Sequence, residues 1–197
     1  MVYINDCVDK LDVGRALAEV SEQRREQALR FRFEQGRRLS LAAYLLLKEG
    51  LEIEYGFSEH PVFRYSVEGK PFIENPSGAH FSLSHSKSVA LCVLSRQPVG
   101  ADVEAVRPVG DDLVRYTMND RECDWIFAAP DKVKAFLTLW TRKEAVLKLT
   151  GEGIRNDLKS VLRDANTYCI ETALAENYVY SVARFRNSSE IIEQFCK

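Results

Sequence analysis

Read from end to end, the chain passes twice through one order of elements: a strand, a run of helix, then more strands, with the break at Arg96-Gln-Pro98. Its 197 residues suffice for one domain or two small ones, each with a buried core. The repeated order predicts an α+β fold of two pseudo-equivalent α/β halves, residues 1–98 and 99–197, related by approximate two-fold symmetry. Halves that face one another leave a cleft, and the active site is expected there.

Hydrophobic spacing places the elements. Val2-Tyr-Ile4 opens as a strand, and helical patterning runs from about Leu11 to Arg32 with an interruption near Ser21. A second helix, about Gln35 to Glu49, sets Leu39, Ala42, Ala43, Leu46 and Leu47 on one stripe, with Gly50 as its stop. Val62 to Val67 alternates as a strand, and Glu68-Gly-Lys-Pro-Phe72 and Asn75 to Gly78 turn. His80 to Ser84 and Val89 to Ser95 are strands joined by a bend at Ser84-His-Ser-Lys87. Val99 to Glu104 starts a strand in the second half, and Asp111 to Thr150 is largely helical, closed by Gly151-Glu-Gly153. Val161-Leu162, Tyr168 to Ile170 and Tyr178 to Phe185 are the remaining strands; the tail from Asn187 shows no pattern.

Composition excludes several classes of function. With 46% hydrophobic and 28% charged residues the chain reads as a soluble globular protein. A net charge of −2 argues against a general nucleic-acid binder. Arg24, Arg25, Arg30, Arg32, Arg37 and Arg38 nevertheless crowd one segment, which suits an anionic partner or a solvated face balanced by Glu22, Glu26 and Glu34. Five scattered cysteines without metal-ligand spacing fit a reducing compartment. No signal-peptide pattern and no apolar run of ~20 residues occurs, so a cytoplasmic protein without a membrane partner is expected.

Three stretches carry the chemistry: Phe81-Ser-Leu-Ser-His85-Ser86, Gly100-Ala-Asp102-Val-Glu104, and Trp140 to Gly153. Glu144 and Lys148 lie four apart, one turn from each other on a single helix face. Alone, such a pair is a surface ion pair worth ~0.3–0.5 kcal/mol. Asp102 and Glu104 alternate onto one strand face, where two like charges are unfavourable without a cation. Together, an acid and a base opposite two more acids suit Mg²⁺-assisted chemistry on a phosphate, because Mg²⁺ takes a few carboxylates plus phosphate oxygens and a lysine can neutralise a phosphoryl leaving group.

With Gly69-Lys-Pro71 before them, these stretches resemble in order the motifs of the surfactin-synthetase type of 4′-phosphopantetheinyl transferase. An N-terminal match adds Ser21-x-x-Arg24-Arg-Glu26, Arg30-Phe31 and Arg37-Arg-Leu-Ser40, so the resemblance covers nearly the whole chain. It implies Mg²⁺-dependent transfer of the phosphopantetheine arm of coenzyme A, the co-substrate, to a serine of an acyl or peptidyl carrier protein, with release of 3′,5′-ADP. Asp102, Glu104 and Glu144 would bind Mg²⁺. Lys148 would contact the pyrophosphate and assist the departing ADP. Glu144, directly or through water, would be the base.

The resemblance further implies that Ser84, His85 and the backbone around Ser86 hold coenzyme A phosphates, that Gly69, Lys70, Pro71 and Phe72 line the nucleotide end, and that Arg24 and Ser40 approach the 3′-phosphate. It places another active-site acid at Glu122. The chain departs from the family pattern at Lys87, commonly glycine, where φ > 0 would cost about 1 kcal/mol, at Ala101, usually a larger aliphatic, and at Gln27, where a second cation is expected. Internal duplication lets one chain supply both sides of the cleft, so a monomer is expected. A metal-dependent phosphodiesterase or nuclease and an inactive coenzyme A-binding protein are the rival readings.

Overall fold

The computed structural model describes residues 1–153, 157–163 and 165–186. The first half comprises β1 (Val2–Asn5), α1 (Val13–Ala18), α2 (Glu22–Leu29), α3 (Glu34–Tyr55), β2 (Phe63–Tyr65), β3 (Pro71–Ile73), β4 (His80–Ser86) and β5 (Val89–Ser95). The second comprises β6 (Val99–Ala105), α4 (Asp111–Thr117), α5 (Asp120–Ala128), α6 (Lys132–Thr150), β7 (Tyr168–Leu174) and β8 (Tyr178–Phe185). The fold is α+β. Two antiparallel three-stranded sheets run in the orders β1-β5-β4 and β6-β8-β7, and β2 and β3 form a separate hairpin.

Strand alternation builds the core. On one face of β5, Ala90, Cys92 and Leu94 pack under Leu41, Tyr44, Leu47 and Leu51 of α3. On the other face, Val89, Leu91 and Val93 meet Val99, Ala101 and Val103 of β6 and Val182 of β8. Beyond that second sheet, Ala145, Val146 and Leu149 of α6 cover Ala183 of β8. The layers therefore run helix, sheet, sheet, helix, with one apolar layer between the two sheets.

Two glycines mark where the layers come closest. The helix expected to stop at Gly50 continues to Tyr55 and ends at Gly56, a left-handed cap at φ 64°. Gly50 is instead a contact position: a Cβ there would lie 2.5 Å from Leu94 and 2.7 Å from Tyr3. Sequence alone does not distinguish a helix stop from a close crossing. Gly100 is tighter still, since a Cβ would lie 2.0 Å from the Ala145 carbonyl oxygen and 2.3 Å from the Leu149 nitrogen. That absence of a side chain lets β6 lie directly against the α6 backbone.

Other boundaries also move. The long helical stretch after Asp111 breaks twice, once at Asn119, whose side chain and Glu122 form a capping box for α5, and once at Asp131, which caps α6. Glu68 to Lys70 is the turn of the β2–β3 hairpin rather than a free turn, because Ser66 N–H bonds the Lys70 carbonyl at 2.9 Å. β4 runs on through Ser86, so the bend falls at Lys87 and Ser88. Val161-Leu162, expected as strand, is a turn. Asn187 onward, at the end of the proposed second half, lies outside the described residues. Among the described residues no helix is long and apolar enough to cross a membrane, and Cys7, Cys92, Cys123 and Cys169 are all free thiols.

Candidate active site

Alternation on β4 turns Ser82, Ser84 and Ser86 toward the second half, where each serine meets β6 in register. The Ser82 hydroxyl accepts from the Ala101 N–H at 2.9 Å, Ser84 donates to Asp102 Oδ1 at 2.7 Å, and Ser86 donates to Glu104 Oε2 at 2.6 Å. On β6, Gly100, Asp102 and Glu104 share the face toward α6. The missing Gly100 side chain brings that helix near enough for Lys148 Nζ to donate to Asp102 Oδ1 at 2.7 Å and to Ser84 Oγ at 2.8 Å. Three elements from both halves, β4, β6 and α6, thus meet at one point.

Electrostatics make this point strained without a ligand. Asp102 is 5% exposed. Asp102 Oδ2 and Glu144 Oε1 are buried with no hydrogen-bond partner. Burial first, and Asp102 next, push the Glu144 carboxyl above its ordinary pKa; Lys148 opposes and Glu104 adds to the rise. Burial likewise raises Glu104, against the Ser86 hydrogen bond. Buried carboxylate oxygens without donors cost free energy that a hard cation would relieve. Among the described residues, no three acidic, histidine or cysteine side chains enclose an ion by themselves.

Two hollows flank Lys148. One, about 350 Å³, is lined by Gly69, Lys70, Pro71, Glu144 and Gly151. The other, about 380 Å³, runs past Ser84 and His85 to Arg24, Gln27 and Ser40. Arg24 is 8% exposed. Its guanidinium carbon sits 4.9 Å from the Tyr44 ring centre and 4.7 Å from that of Phe63. Nη1 donates to Ser40 Oγ at 3.4 Å, while Nε is buried and unpartnered. Burial depresses its pKa. A cation packed against two rings, with no acid beside it among the described residues, suits a bound anion.

The structure therefore joins Asp102, Lys148 and Ser84 by hydrogen bonds, sets Glu104 and Glu144 within electrostatic reach of them, and places Arg24 and Ser40 along the same cleft. His85 stays on the exposed rim, its pKa lowered by the protein around it and then by Lys148. Gly69 has φ 86° and sets the hairpin turn, and Pro71 lines both hollows. Phe72 lines a third hollow with His80 and Pro98. The hydroxyls of Ser84 and Ser86 are engaged with carboxylates. Lys87 does take a positive φ, 49°.

Glu122 does not join the other acids. Its Oε2 accepts from Lys143 Nζ at 2.6 Å and from the Asn119 N–H at 2.8 Å, which ties α5 to α6. Sequence reading missed that partner: Lys143, though adjacent to Glu144, points a different way around the helix and is 1% exposed. Trp140, left as core, stacks its indole on Phe136.

Comparison with known proteins points to one family. Residues 98–194 match the family model of the 4′-phosphopantetheinyl transferase superfamily. The chain is similar to 4′-phosphopantetheinyl transferase Sfp of Bacillus subtilis (strain 168), 25% identical over 163 residues, 81% of this chain and 72% of that protein. It is 33% identical over 144 residues to 4′-phosphopantetheinyl transferase psf-1 of Bacillus pumilus, 72% of this chain and 62% of the relative. To 4′-phosphopantetheinyl transferase HetI of Nostoc sp. (strain PCC 7120) it is 36% identical over 146 residues, 70% and 62% of the two chains.

Proposed function

We propose that this chain, which belongs to the 4′-phosphopantetheinyl transferase superfamily, moves the phosphopantetheine arm of coenzyme A to a serine of an acyl or peptidyl carrier protein. The observation that carries the reading is the part-buried Lys148–Asp102–Ser84 cluster beside Glu144, in a cleft whose far wall holds Arg24, a buried cation with its Nε unpartnered. The cleft holds two chemistries: acids and a lysine at one end, an anion site at the other, as a bisphosphorylated nucleotide donor requires.

Arg24 and Ser40 bind the 3′-phosphate, and His85 and the backbone around Ser86 face the pyrophosphate. Gly69, Pro71 and Phe72 border the nucleotide end. The carrier serine oxygen attacks the phosphorus that bears the pantetheine, the bond to the bridging oxygen breaks, and 3′,5′-ADP leaves with the electron pair. Glu144 takes the serine proton, directly or through water; its raised pKa suits a base. Lys148 neutralises charge that builds on the departing ADP. Asp102, Glu104 and Glu144 would hold Mg²⁺, whose few protein ligands are completed by water and phosphate oxygens, so a closed protein cage is not needed. When bound, the ion supplies charge stabilisation on the pyrophosphate.

The matching strand orders of the two sheets support two-fold related halves, and a cytoplasmic monomer, in which one chain supplies both sides of the cleft, is part of the same proposal. The test of function is direct. Protein, coenzyme A, Mg²⁺ and an apo carrier are mixed, and the carrier's mass is followed. Gain of one phosphopantetheine arm is expected. Binding of coenzyme A with no change in carrier mass would sink the transferase reading in favour of a binding protein, and release of nucleotide without a carrier would favour hydrolysis.

A further inference from the structure

Lys70 is a cation that the site as drawn does not use. The hairpin turn presents it rigidly: Gly69 takes φ 86°, and the Lys70 N–H and carbonyl are both bonded to Ser66, at 3.2 and 2.9 Å. Its ammonium crosses from the first half to the second. There Nζ donates to the Leu149 carbonyl at 2.8 Å and approaches the Val99 carbonyl at 3.5 Å. Its aliphatic stem lies against Gly151, where a Cβ would be 3.5 Å from Lys70 Cδ. Burial lowers its pKa, and among the described residues no acid is paired with it.

Both acceptors matter. The last four carbonyls of a helix lack partners within the helix, and the negative end of the helix dipole sits there. In α6 the Leu147 carbonyl is met by the Gly151 N–H, whereas the Leu149 carbonyl is met by Lys70. Leu149 directly follows Lys148. Val99 opens β6, three residues before Asp102. We propose that Lys70 is a positioning residue, a staple between the halves that fixes the last turn of α6 and the start of β6 and so holds Lys148 against Asp102. The motif Gly69-Lys70-Pro71 then has three separate duties: a left-handed turn, the staple, and the entry to β3. Nucleotide contact in this stretch falls to the backbone and Pro71, not to the ammonium.

This inference rests on the transferase reading, and its test separates the two. Lys70→Met keeps the packed stem and removes the donor. Steady-state transfer is measured for wild type, Lys70→Met, Lys70→Arg, Lys148→Ala and the Lys70→Met/Lys148→Ala double variant. Expected is a fall in kcat of about tenfold or more in Lys70→Met, with the KM for coenzyme A within about twofold, because a small misplacement of a catalytic group acts on the chemical step. Lys70→Arg, whose guanidinium can reach both carbonyls, recovers most of kcat. In the Lys148→Ala background the Lys70→Met effect shrinks toward onefold, since the lysine it positions is gone.

A KM that rises with kcat unchanged would overturn the inference and make Lys70 a nucleotide contact. An equal loss in both backgrounds would reduce it to a stability contribution. If wild type transferred nothing, the transferase reading would fall, and amide hydrogen exchange would still decide the staple. Lys70→Met should speed exchange at Thr150 to Gly153 while the first half of α6 keeps its protection; unchanged exchange there would remove the staple itself.

Discussion

Arg24 keeps its charge where packing, not an opposing acid, holds it: between the rings of Tyr44 and Phe63, with one nitrogen unpartnered. Arg24→Met preserves much of that volume and removes the charge. Wild type should then bind coenzyme A more tightly than dephospho-coenzyme A by about 1.5–3 kcal/mol, the size of a charge-assisted hydrogen bond, and the variant should bind the two alike. Calorimetry reads this; equal discrimination in both proteins would take Arg24 out of the site. Glu144 gives a prediction of opposite character. A carboxyl raised in the folded state keeps a proton that the unfolded chain has released, so stability falls as pH rises out of the ordinary carboxylate range toward the raised value, and the penalty is complete above it. Glu144→Gln removes that penalty. In metal-free buffer near neutral pH its Tm should exceed that of wild type, and the gap should close near pH ~4, where the acid is protonated in both states. Added Mg²⁺ should raise the wild-type Tm and barely move the variant's. A neutral-pH Tm at or below that of wild type would mean that Lys148 already compensates the charge.

Between elements, α5 and α6 are joined by a nearly dry ion pair, with Lys143 1% and Glu122 12% exposed. Removing one partner leaves a buried charge, so Lys143→Met or Glu122→Leu alone should cost about 3–5 kcal/mol in urea unfolding. The double variant should be near neutral or more stable, because two apolar side chains need no compensation. A double variant as unstable as either single one would show that the pair is irreplaceable for reasons other than charge. The same region shows how far elements can be read from sequence. The Glu144–Lys148 spacing settles that both face one way on a helix, whatever that helix packs against. Whether Lys143, beside them, meets water or Glu122 depends on the α5 break at Asn119, and that break depends on a capping box only completed in the folded chain. The expectation of an active-site acid at Glu122 did not include its tie to Lys143.

Across the whole molecule, the two sheets share one apolar layer, in which β5 side chains of the first half meet β6 and β8 of the second. Unfolding should therefore be a single transition. Leu47→Ala, at a fully buried position of α3 in the first half, should cost about 2–5 kcal/mol. Both tryptophans, Trp125 and Trp140, lie in the second half, so their fluorescence transition should shift by the same amount as the circular dichroism transition. A tryptophan transition that stayed in place would mean that the halves unfold separately. The sequence by itself determined the chemistry of the cleft: Asp102 and Glu104 on one strand face, Glu144 and Lys148 one turn apart, the Ser84-His85-Ser86 stretch, and the repeated order of elements. These follow from the two-residue period of a strand and the near-four-residue period of a helix, which are local geometry. Tertiary structure alone decided that Gly50 is a crossing and not a stop, that Gly100 admits the α6 backbone, that Glu122 belongs to Lys143, and that Lys70 reaches two carbonyls in the other half. Each of these depends on which surfaces approach within a few ångströms, and that distance is set by packing between segments far apart in the chain.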